Sequence, residues 1–296
     1  MLKFLRWQIL GITKQRSFGA HLLNREKNPL FCNKIYITNS LFFRKMVKLN
    51  SIVRFLNKEL RIRSIEDKSK NGLQVKTNKE IKKIGFAVDA CLGTFKKAKK
   101  AGCDLLIVHH GLLWKHKRDV TGVQKKRINW LKKNKIGLYA AHLPLDAHPK
   151  HGNNIQLAKL LELEKIKRFA RHHGSSIGFV GSFKKTMALK SIANKLNKTI
   201  KTKCRIFPSG KKRIKKIAIL SGRSRSLIPE AVKVKPDCVL TGEVVHGPDN
   251  EAKDLQINLI AAGHYATETL GVKALMPLIK EKFNIQTIFI DNPTGL

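Results

Sequence analysis

The stretch KKIGFAVDACLGTFKKAKKAGCDLLIVHHG, residues 82–111, decides the fold. Its two apolar runs, KKIGFAVDA and CDLLIVHHG, are short and bounded by charge, which is typical of buried strands. Between them, Phe95 and Ala98 share one face of a predicted helix that ends at Gly102, a residue favoured at helix C-termini. Strand, helix and strand in this order predict a parallel pair, because the helix must carry the chain back across the sheet.

The alternation of strands and helices continues on both sides of this stretch. Apolar positions at helical spacing predict a helix after Met46. Further helices are predicted at 124–136, 152–162, 186–198 and 266–283, and further strands at 136–148, 256–262 and 286–290. The fold class is therefore α/β with mostly parallel sheets.

A second copy of the pattern follows the first. KKIAILSG repeats KKIGFAVD, and PDCVLTGEVVHG repeats GCDLLIVHHG. Ile84 precedes Asp104 by 20 residues, and Ile217 precedes Asp237 by the same 20. We therefore predict two related α/β lobes, with chance similarity of short apolar strands as the alternative.

The two lobes are assigned to separate parts of the chain. The first lobe takes residues 46–165 and 255–296, and the second, smaller lobe takes 166–254. The glycine- and serine-rich stretch 171–183 is interpreted as a junction between domains.

Residues 1–45 differ from the rest of the chain. They hold nine Lys and Arg but one acid, Glu26, and show no sustained periodicity. The segment is either a basic targeting sequence or translated sequence upstream of a start at Met46. Its low serine content and poor amphipathic pattern favour the second interpretation.

Composition narrows the class of protein. The 296 residues contain no apolar run near the roughly 20 residues that cross a bilayer, so no membrane segment is expected. The five cysteines are scattered, without a Cys-x-x-Cys pair, which favours the reducing cytoplasm. Phosphate-binding loops, dinucleotide fingerprints and the G-x-S-x-G nucleophile motif are absent from the sequence.

The charge of the chain is extreme. Sixty Lys and Arg against 20 acidic residues give a formal charge of +40. A nucleic-acid partner is one explanation, and anionic substrates such as nucleotides would also be attracted. The lysines are spread along the whole chain without interleaved aromatic residues, so a solvated basic surface or a general lysine bias is the favoured alternative.

Polar side chains follow the predicted strands at the point where each strand ends. His109 and His110 follow LLIV, Asp146 follows LYAAHLPL, and His264 follows INLIAAG. The carboxyl ends of parallel strands share one edge of a sheet, where ligands bind, so these residues are predicted to meet.

Glu268 adds a second constraint, because it lies one helical turn after His264 and on the same face. Imidazole and carboxylate together suit zinc, manganese or iron, and a carboxylate that bridges would hold two ions side by side. Taken singly, each residue also has an ordinary explanation, such as a helix cap for Asp146 or a surface pair for His264 and Glu268. Their convergence at strand ends favours a metal site.

Other histidines are not placed among the ligands. His142 could orient a ligand or contact substrate, or simply be packed in the core. His116, His148 and His151 lie in loops near the predicted site, and His246 lies in the repeated motif, where it could face a shared cavity.

Several motifs together resemble a known family. They are NGLQV, LLIVHHGLLW, LYAAHLPLD, GNN, TGEVVHG and AGHYATETLGVKAL, in this order within residues 47–296. In combination they resemble the NGG-interacting-factor-like dinuclear metal-centre family, whose members are called GTP cyclohydrolase I type 2 homologs. One departure is HHGLLW where many members have HHP, and another is the segment 1–45, which has no counterpart.

The resemblance implies a ligand set, an assembly and a reaction. Two divalent ions would be bound by His109, His110, Asp146, His264 and Glu268, with Glu268 as the bridge and the site between two α/β lobes. A homo-oligomer, commonly a ring-shaped hexamer, is implied. The activity implied is hydrolysis of GTP or another nucleotide, although members that carry this name need not share it. The rival class is a non-catalytic metal-binding ring that binds nucleic acid or protein.

Overall fold

Two β-sheets with helices packed on their faces make up the computed structural model, which describes residues 46–115, 122–172, 175–244 and 246–295. The segment 1–45 lies outside the described residues. The predicted α/β fold is confirmed.

The elements follow one another in a mixed order along the chain. The described strands are β1 (Gly72–Val75), β2 (Lys83–Asp89), β3 (Leu105–His110), β4 (Gly137–Ala140), β5 (Glu164–His172), β6 (Ser175–Ala188), β7 (Arg205–Phe207), β8 (Arg213–Arg223), β9 (Cys238–Glu243), β10 (Asn258–Ala261) and β11 (Gln286–Phe289). The described α-helices are α1 (Leu49–Glu59), α2 (Leu92–Lys100), α3 (Gly122–Lys133), α4 (Leu143–Asp146), α5 (Asn153–Leu160), α6 (Leu189–Ile200), α7 (Ile228–Lys233), α8 (Pro248–Asp254) and α9 (His264–Phe283).

The strands form one sheet of five and one of six. The first sheet has the order β1-β4-β3-β2-β11, and all its pairs are parallel except β1 with β4. The second has the order β5-β6-β8-β9-β10-β7, with β8, β9 and β10 parallel and the outer pairs antiparallel. The parallel strands at the centre of each sheet end on the edge that carries the polar side chains.

The two copies of the sequence repeat make the same hydrogen bonds, in which an aspartate accepts two backbone N–H groups. Asp104 Oδ2 accepts the backbone N–H groups of residues 82–83 at 2.9 and 3.2 Å, beside the parallel pair β2 and β3. Asp237 Oδ2 accepts the backbone N–H groups of residues 215–216, both at 2.9 Å, beside the parallel pair β8 and β9. Both aspartates therefore fix the start of a strand pair in the same way.

Side chains alternate across each sheet, as the pleat requires. In the first sheet Ile84 and Phe86 pack with α1 and α9, whereas Ala87 faces the opposite side, which is covered by α2. Helix α9 contributes Leu275 to this core and Ala266 to the core of the second sheet. This helix thus joins the two sheets.

Some sequence-based boundaries need correction. The strand predicted at 136–148 is β4 alone, because Pro144 opens the short helix α4 and the backbone N–H of His142 donates to Asn71 Oδ1 at 2.7 Å. Strand β10 lies in the second sheet, although residues from 255 onward were assigned to the first lobe.

The domain junction predicted at 171–183 is wrong, because residues 171–172 and 175–183 belong to the paired strands β5 and β6. Gly178 and Gly181 lie within β6 and permit close packing there. A Cβ on Gly178 would lie 2.7 Å from the Phe169 ring, and one on Gly181 would lie 2.9 Å from Leu163 Cβ. Within the described residues, no helix combines the length and apolar character needed to cross a membrane.

Candidate metal centre

The five side chains singled out from the sequence come together at the carboxyl edge of the first sheet. His109 and His110 end β3, and Asp146 ends α4, which follows β4. His264 begins α9 directly after β10, and Glu268 lies one turn further along α9. Both sheets thus position this centre, because α9 leaves the edge of the second sheet and packs against the first.

The carboxylate of Glu268 lies at the middle of the cluster and is 3% exposed. Its Oε1 is 3.4 Å from His109 Nε2, and its Oε2 is 3.3 Å from His110 Nε2 and 3.2 Å from His264 Nε2. Asp146 Oδ2 lies 3.5 Å from His109 Nε2. Each oxygen of Glu268 therefore faces a different group of donors.

These separations suit two ligands of one ion better than direct hydrogen bonds. Nitrogen–oxygen hydrogen bonds are usually about 2.7–3.2 Å long. Two ligands that are each about 2.1 Å from one ion lie about 3.0–3.4 Å apart in octahedral or tetrahedral geometry. His109 Nε2 and Glu268 Oε2 are buried and have no hydrogen-bond partner among the described residues. The donors present thus fit a divalent metal ion.

Three overlapping groups of donors could hold a metal, each with its donor atoms within 4.8 Å of one another. The groups are His109 with Asp146 and Glu268; His110 with His264 and Glu268; and His109 with His110 and His142. The first two groups share Glu268.

Neighbouring groups fix the direction of each imidazole. The Nδ1 atom of His109 lies 3.0 Å from the carbonyl oxygen of Ala141, and the Nδ1 atom of His110 lies 2.8 Å from Asp89 Oδ1. Because an acceptor holds the Nδ1 hydrogen of each ring, Nε2 is the nitrogen that points to the centre, and it carries the lone pair whenever the ring is neutral. This is the tautomer that a metal ion requires.

Asp146 is held in a similar way. Its Oδ1 accepts hydrogen bonds from Asn153 Nδ2 at 2.8 Å and Ser221 Oγ at 3.1 Å. Asn153 Oδ1 in turn accepts the backbone N–H of Gly271 in α9 at 2.7 Å. Oδ2 is left to face His109.

The cluster has an electrostatic preference for cations. Burial alone would lower the pKa of His109, but the carboxylates of Asp146 and Glu268 raise it to about 10. Burial would likewise lower the pKa of His264, but Glu268 and Glu243 raise it. Burial would raise the pKa of Glu268, whereas the nearby imidazoles hold it well below its usual value. The charges of the cluster therefore favour bound positive charge, whether a proton or a metal ion.

Gly222, in β8, makes room for Glu268. A Cβ on Gly222 would overlap Glu268 Oε1 and lie 3.3 Å from His264 Nε2, and the residue has φ +61°. Any other residue here would be strained and would displace the central carboxylate.

Sequence reasoning missed several residues around the centre. Asp89 ends β2 beside His110, so the rule used for the other strand ends would have found it. Glu243 ends β9 and lies 3.5 Å from His264 Nδ1. Asp67, which contacts His142 Nδ1 at 2.9 Å, lies between named elements and carried no signal in the sequence.

The remaining candidate histidines have different surroundings. The rings of His148 and His151 stack with centroids 5.2 Å apart, and both lie near Glu59 in α1. His246 is exposed. His116 lies outside the described residues.

Comparison with known proteins identifies the family. The sequence model of the Duf34/NIF3 (NGG1p interacting factor 3) family matches residues 47–295. The chain belongs to this family. A Pyrococcus abyssi relative named GTP cyclohydrolase 1 type 2 homolog is 48% identical over 246 residues, which cover 83% of this chain and 98% of the relative. The predicted family resemblance is thus confirmed.

Solved structures of Duf34/NIF3-like chains agree with this assignment. The protein ybgI, described as of unknown function, has a TM-score of 0.79 and 30% identity, covering 84% of this chain and 100% of that one. TTHA1606 from Thermus thermophilus has a TM-score of 0.76 and 38% identity, covering 83% and 99% of the two chains.

Replacing Gly222 tests whether metal binding by this Duf34/NIF3 protein depends on the position of the Glu268 carboxylate. In Gly222→Ala, the new Cβ pushes Glu268 aside, and we expect bound metal to fall well below the wild-type content. Gly102→Ala is the matched control, because Gly102 also has positive φ (+72°) but a Cβ there meets nothing within 4 Å. Elemental analysis of both purified variants checks this; equal metal content in the two would contradict it.

The raised imidazole pKa values predict that metal binding releases protons. At neutral pH His109, with a pKa of about 10, and His264, with a raised pKa, hold protons that an incoming ion must displace. Metal affinity should therefore rise as pH rises through the neutral range. Titration of the metal-free protein with Zn²⁺ in weak buffer containing a pH indicator measures the release, and binding without acidification would disprove it.

Proposed function

We propose that this protein is a metal-dependent hydrolase that holds two divalent ions and acts on a nucleotide, with GTP as the first candidate. The support is the position of Glu268, whose two oxygens face separate groups of imidazole and carboxylate donors. The shared name of its relatives, GTP cyclohydrolase 1 type 2 homolog, is the reason for choosing GTP.

In this proposal each ion has three protein ligands. His109, Asp146 and Glu268 Oε1 would hold one ion, and His110, His264 and Glu268 Oε2 would hold the other. Nitrogen and oxygen donors of this kind suit zinc, iron or manganese. Divalent ions bound here would lower the pKa of water and polarise the bond under attack.

The residues of the chain then have distinct tasks. Glu268 keeps the two donor groups adjacent. Asp89 and the carbonyl oxygen of Ala141 hold the Nδ1 hydrogens of His110 and His109, so both rings keep Nε2 directed at the centre. Ser221 and Asn153 restrict Asp146 to a single free oxygen.

We also propose that the protein is a homo-oligomer, a hexamer by analogy with the family that it resembles, and that it resides in the cytoplasm. The four described cysteines are free, which suits a reducing compartment. Sedimentation velocity should give the mass of six chains, and a monomer at micromolar concentration would reject the assembly.

A second candidate function rests on the formal charge of +40. A basic metal-binding ring without catalytic activity could hold nucleic acid through phosphate contacts, and its affinity would then fall steeply with salt. Such binding together with no turnover of any nucleotide would favour this candidate over hydrolysis.

Metal content and turnover of one set of variants test the proposed function. Wild-type protein reconstituted with Zn²⁺, Mn²⁺ or Fe²⁺ should hold about two ions per chain and release formate from GTP, or convert another nucleotide of a panel. Glu268→Ala should lose metal, because it removes the shared ligand. His110→Ala should lower turnover at least about a hundredfold, since even partners of metal ligands are worth about 10–100-fold.

Glu281→Ala is the control for these variants, because Glu281 lies on the same helix α9 but is exposed. It should behave as wild type, and circular dichroism should show that all variants are folded. The absence of bound metal under every reconstitution condition would reject the centre. Metal binding without turnover of any nucleotide would reject the hydrolase.

A further inference from the structure

His142 lies beside the metal centre but has no task in the proposed ligand set. It follows β4 and precedes α4, with φ −93° and ψ −109°. Its ring centroid is 5.0 Å from that of His109 and 5.5 Å from that of His110, and one of its nitrogens completes a group with theirs. The group containing His142 does not include Glu268.

The ring of His142 is held in place by Asp67, which lies between α1 and β1. His142 Nδ1 lies 2.9 Å from Asp67 Oδ1, and Leu143 N donates to Asp67 Oδ2 at 3.0 Å. Asp67 also accepts the backbone N–H of Ser69 at 3.0 Å and Asn71 Nδ2 at 2.8 Å. Through these bonds one buried carboxylate holds both the ring of His142 and the backbone N–H of the residue that follows it.

The contacts of Asp67 decide the tautomer of His142. Burial alone would raise the pKa of Asp67, but the hydrogen bonds from His142, Asn71 and Ser69 hold it far below its usual value. The carboxylate is therefore ionised and only accepts, so Nδ1 of His142 carries the hydrogen. In the neutral ring Nε2 then presents a lone pair.

Nε2 has no hydrogen-bond partner within the described parts of the chain, although the rest of the ring is well packed. The indole of Trp114 meets the His142 ring edge-on at 5.2 Å between centroids, and the Trp114 Nε1 atom donates to Gly111 O at 3.1 Å. An imidazole that is oriented on one side, packed by an aromatic ring and free on its other nitrogen is arranged to receive a ligand.

We propose that His142, held by Asp67, is a positioning residue whose Nε2 accepts a hydrogen bond from an O–H or N–H group of the molecule bound at the metal centre. The inference rests on the metal centre of the proposed function. Ligands that present a donor hydrogen beside their metal-binding atom are thus favoured over ligands of the same shape that lack one. This preference arises because a site built to pair one polar group discriminates strongly against an analogue without it.

Hydrogen phosphate and sulfate provide matched probes. At slightly alkaline pH both are tetrahedral dianions, but only hydrogen phosphate keeps an O–H group. Co²⁺-loaded protein is titrated with each anion, and the change in visible absorption of the bound cobalt gives two dissociation constants. The measured quantity is the ratio of the sulfate constant to the phosphate constant, compared between variants so that the intrinsic preference of cobalt cancels.

His142→Leu should lower this ratio about five- to tenfold, the value of one hydrogen bond. His142→Gln should retain most of the wild-type ratio, because its side-chain oxygen can replace Nε2 as the acceptor. His246→Leu, at an exposed histidine, is the matched control and should keep the wild-type ratio. Cobalt content and the cobalt spectrum without anion should be the same in all four proteins.

The outcomes that overturn the proposal can be told apart from one that overturns only the proposed function. An unchanged ratio in His142→Leu would reject the accepting role of His142. Loss of cobalt, or an altered cobalt spectrum, in His142→Leu would make His142 a metal ligand instead. No cobalt binding by wild type would reject this inference together with the metal centre, whereas the expected ratios without nucleotide turnover would reject only the proposed hydrolase reaction.

Discussion

The buried carboxylate of Glu268 is the constraint on which the rest of the structure depends. Removing a carboxylate from water costs several kcal/mol unless positive or hydrogen-bonding partners replace the solvent. His109 and His110 reach it from β3, and His264 reaches it from one turn earlier in α9. The position of β3 relative to α9 is therefore fixed by these imidazole–carboxylate contacts as well as by apolar packing. In the second sheet, Gly222 leaves the space that the Glu268 carboxylate occupies.

The two halves have the same parallel strand pair but carry different side chains at the ends of these strands. His110 pairs with Asp89 across β3 and β2, and the matching position in the second half is Glu243, which pairs with Arg223 across β9 and β8. Next to it, Gly242 stands where the first half has a histidine, and a Cβ there would lie 2.7 Å from Gly222 O. At these matched positions the first half carries two histidines of the candidate metal centre, and the second half carries Glu243 and a closely packed glycine. Duplication of the fold therefore does not duplicate the site.

Much of the fold and of the candidate site could be predicted from the sequence because two sequence signals were strong. Apolar runs bounded by charge located the central strands, and polar residues after these strands located four of the five side chains that meet. Glu268, the fifth, was located by its spacing of one helical turn from His264. The antiparallel strands β5 and β6 were missed, since Gly178 and Gly181 resembled a linker while their actual role is contact with Phe169 and Leu163. Glycine in a strand and glycine in a loop look alike when the partner strand is unknown.

Two polar groups that hold side chains in and beside the centre were harder to predict for a different reason. Asp67 and Asn153 act through contacts that join residues far apart in sequence: Asp67 lies 75 positions from His142, and Asn153 lies 118 positions from Gly271. Neither residue belongs to a periodic pattern, so only the assembled structure shows the contact. Asp89 is the exception, because it ends a strand and obeys the same rule as His110.

The overall charge and the local charge of the protein have opposite signs. The chain carries +40, whereas the centre gathers the carboxylates of Asp89, Asp146, Glu243 and Glu268 around its imidazoles. A positive surface attracts anions over a distance of about one Debye length, roughly 8–10 Å in physiological salt. Without metal, these four carboxylates would repel the anion at close range. Two divalent ions carry as many positive charges as the four carboxylates carry negative ones. In the proposed function, bound metal therefore removes this repulsion, and an anionic substrate attracted by the positive surface can enter the site.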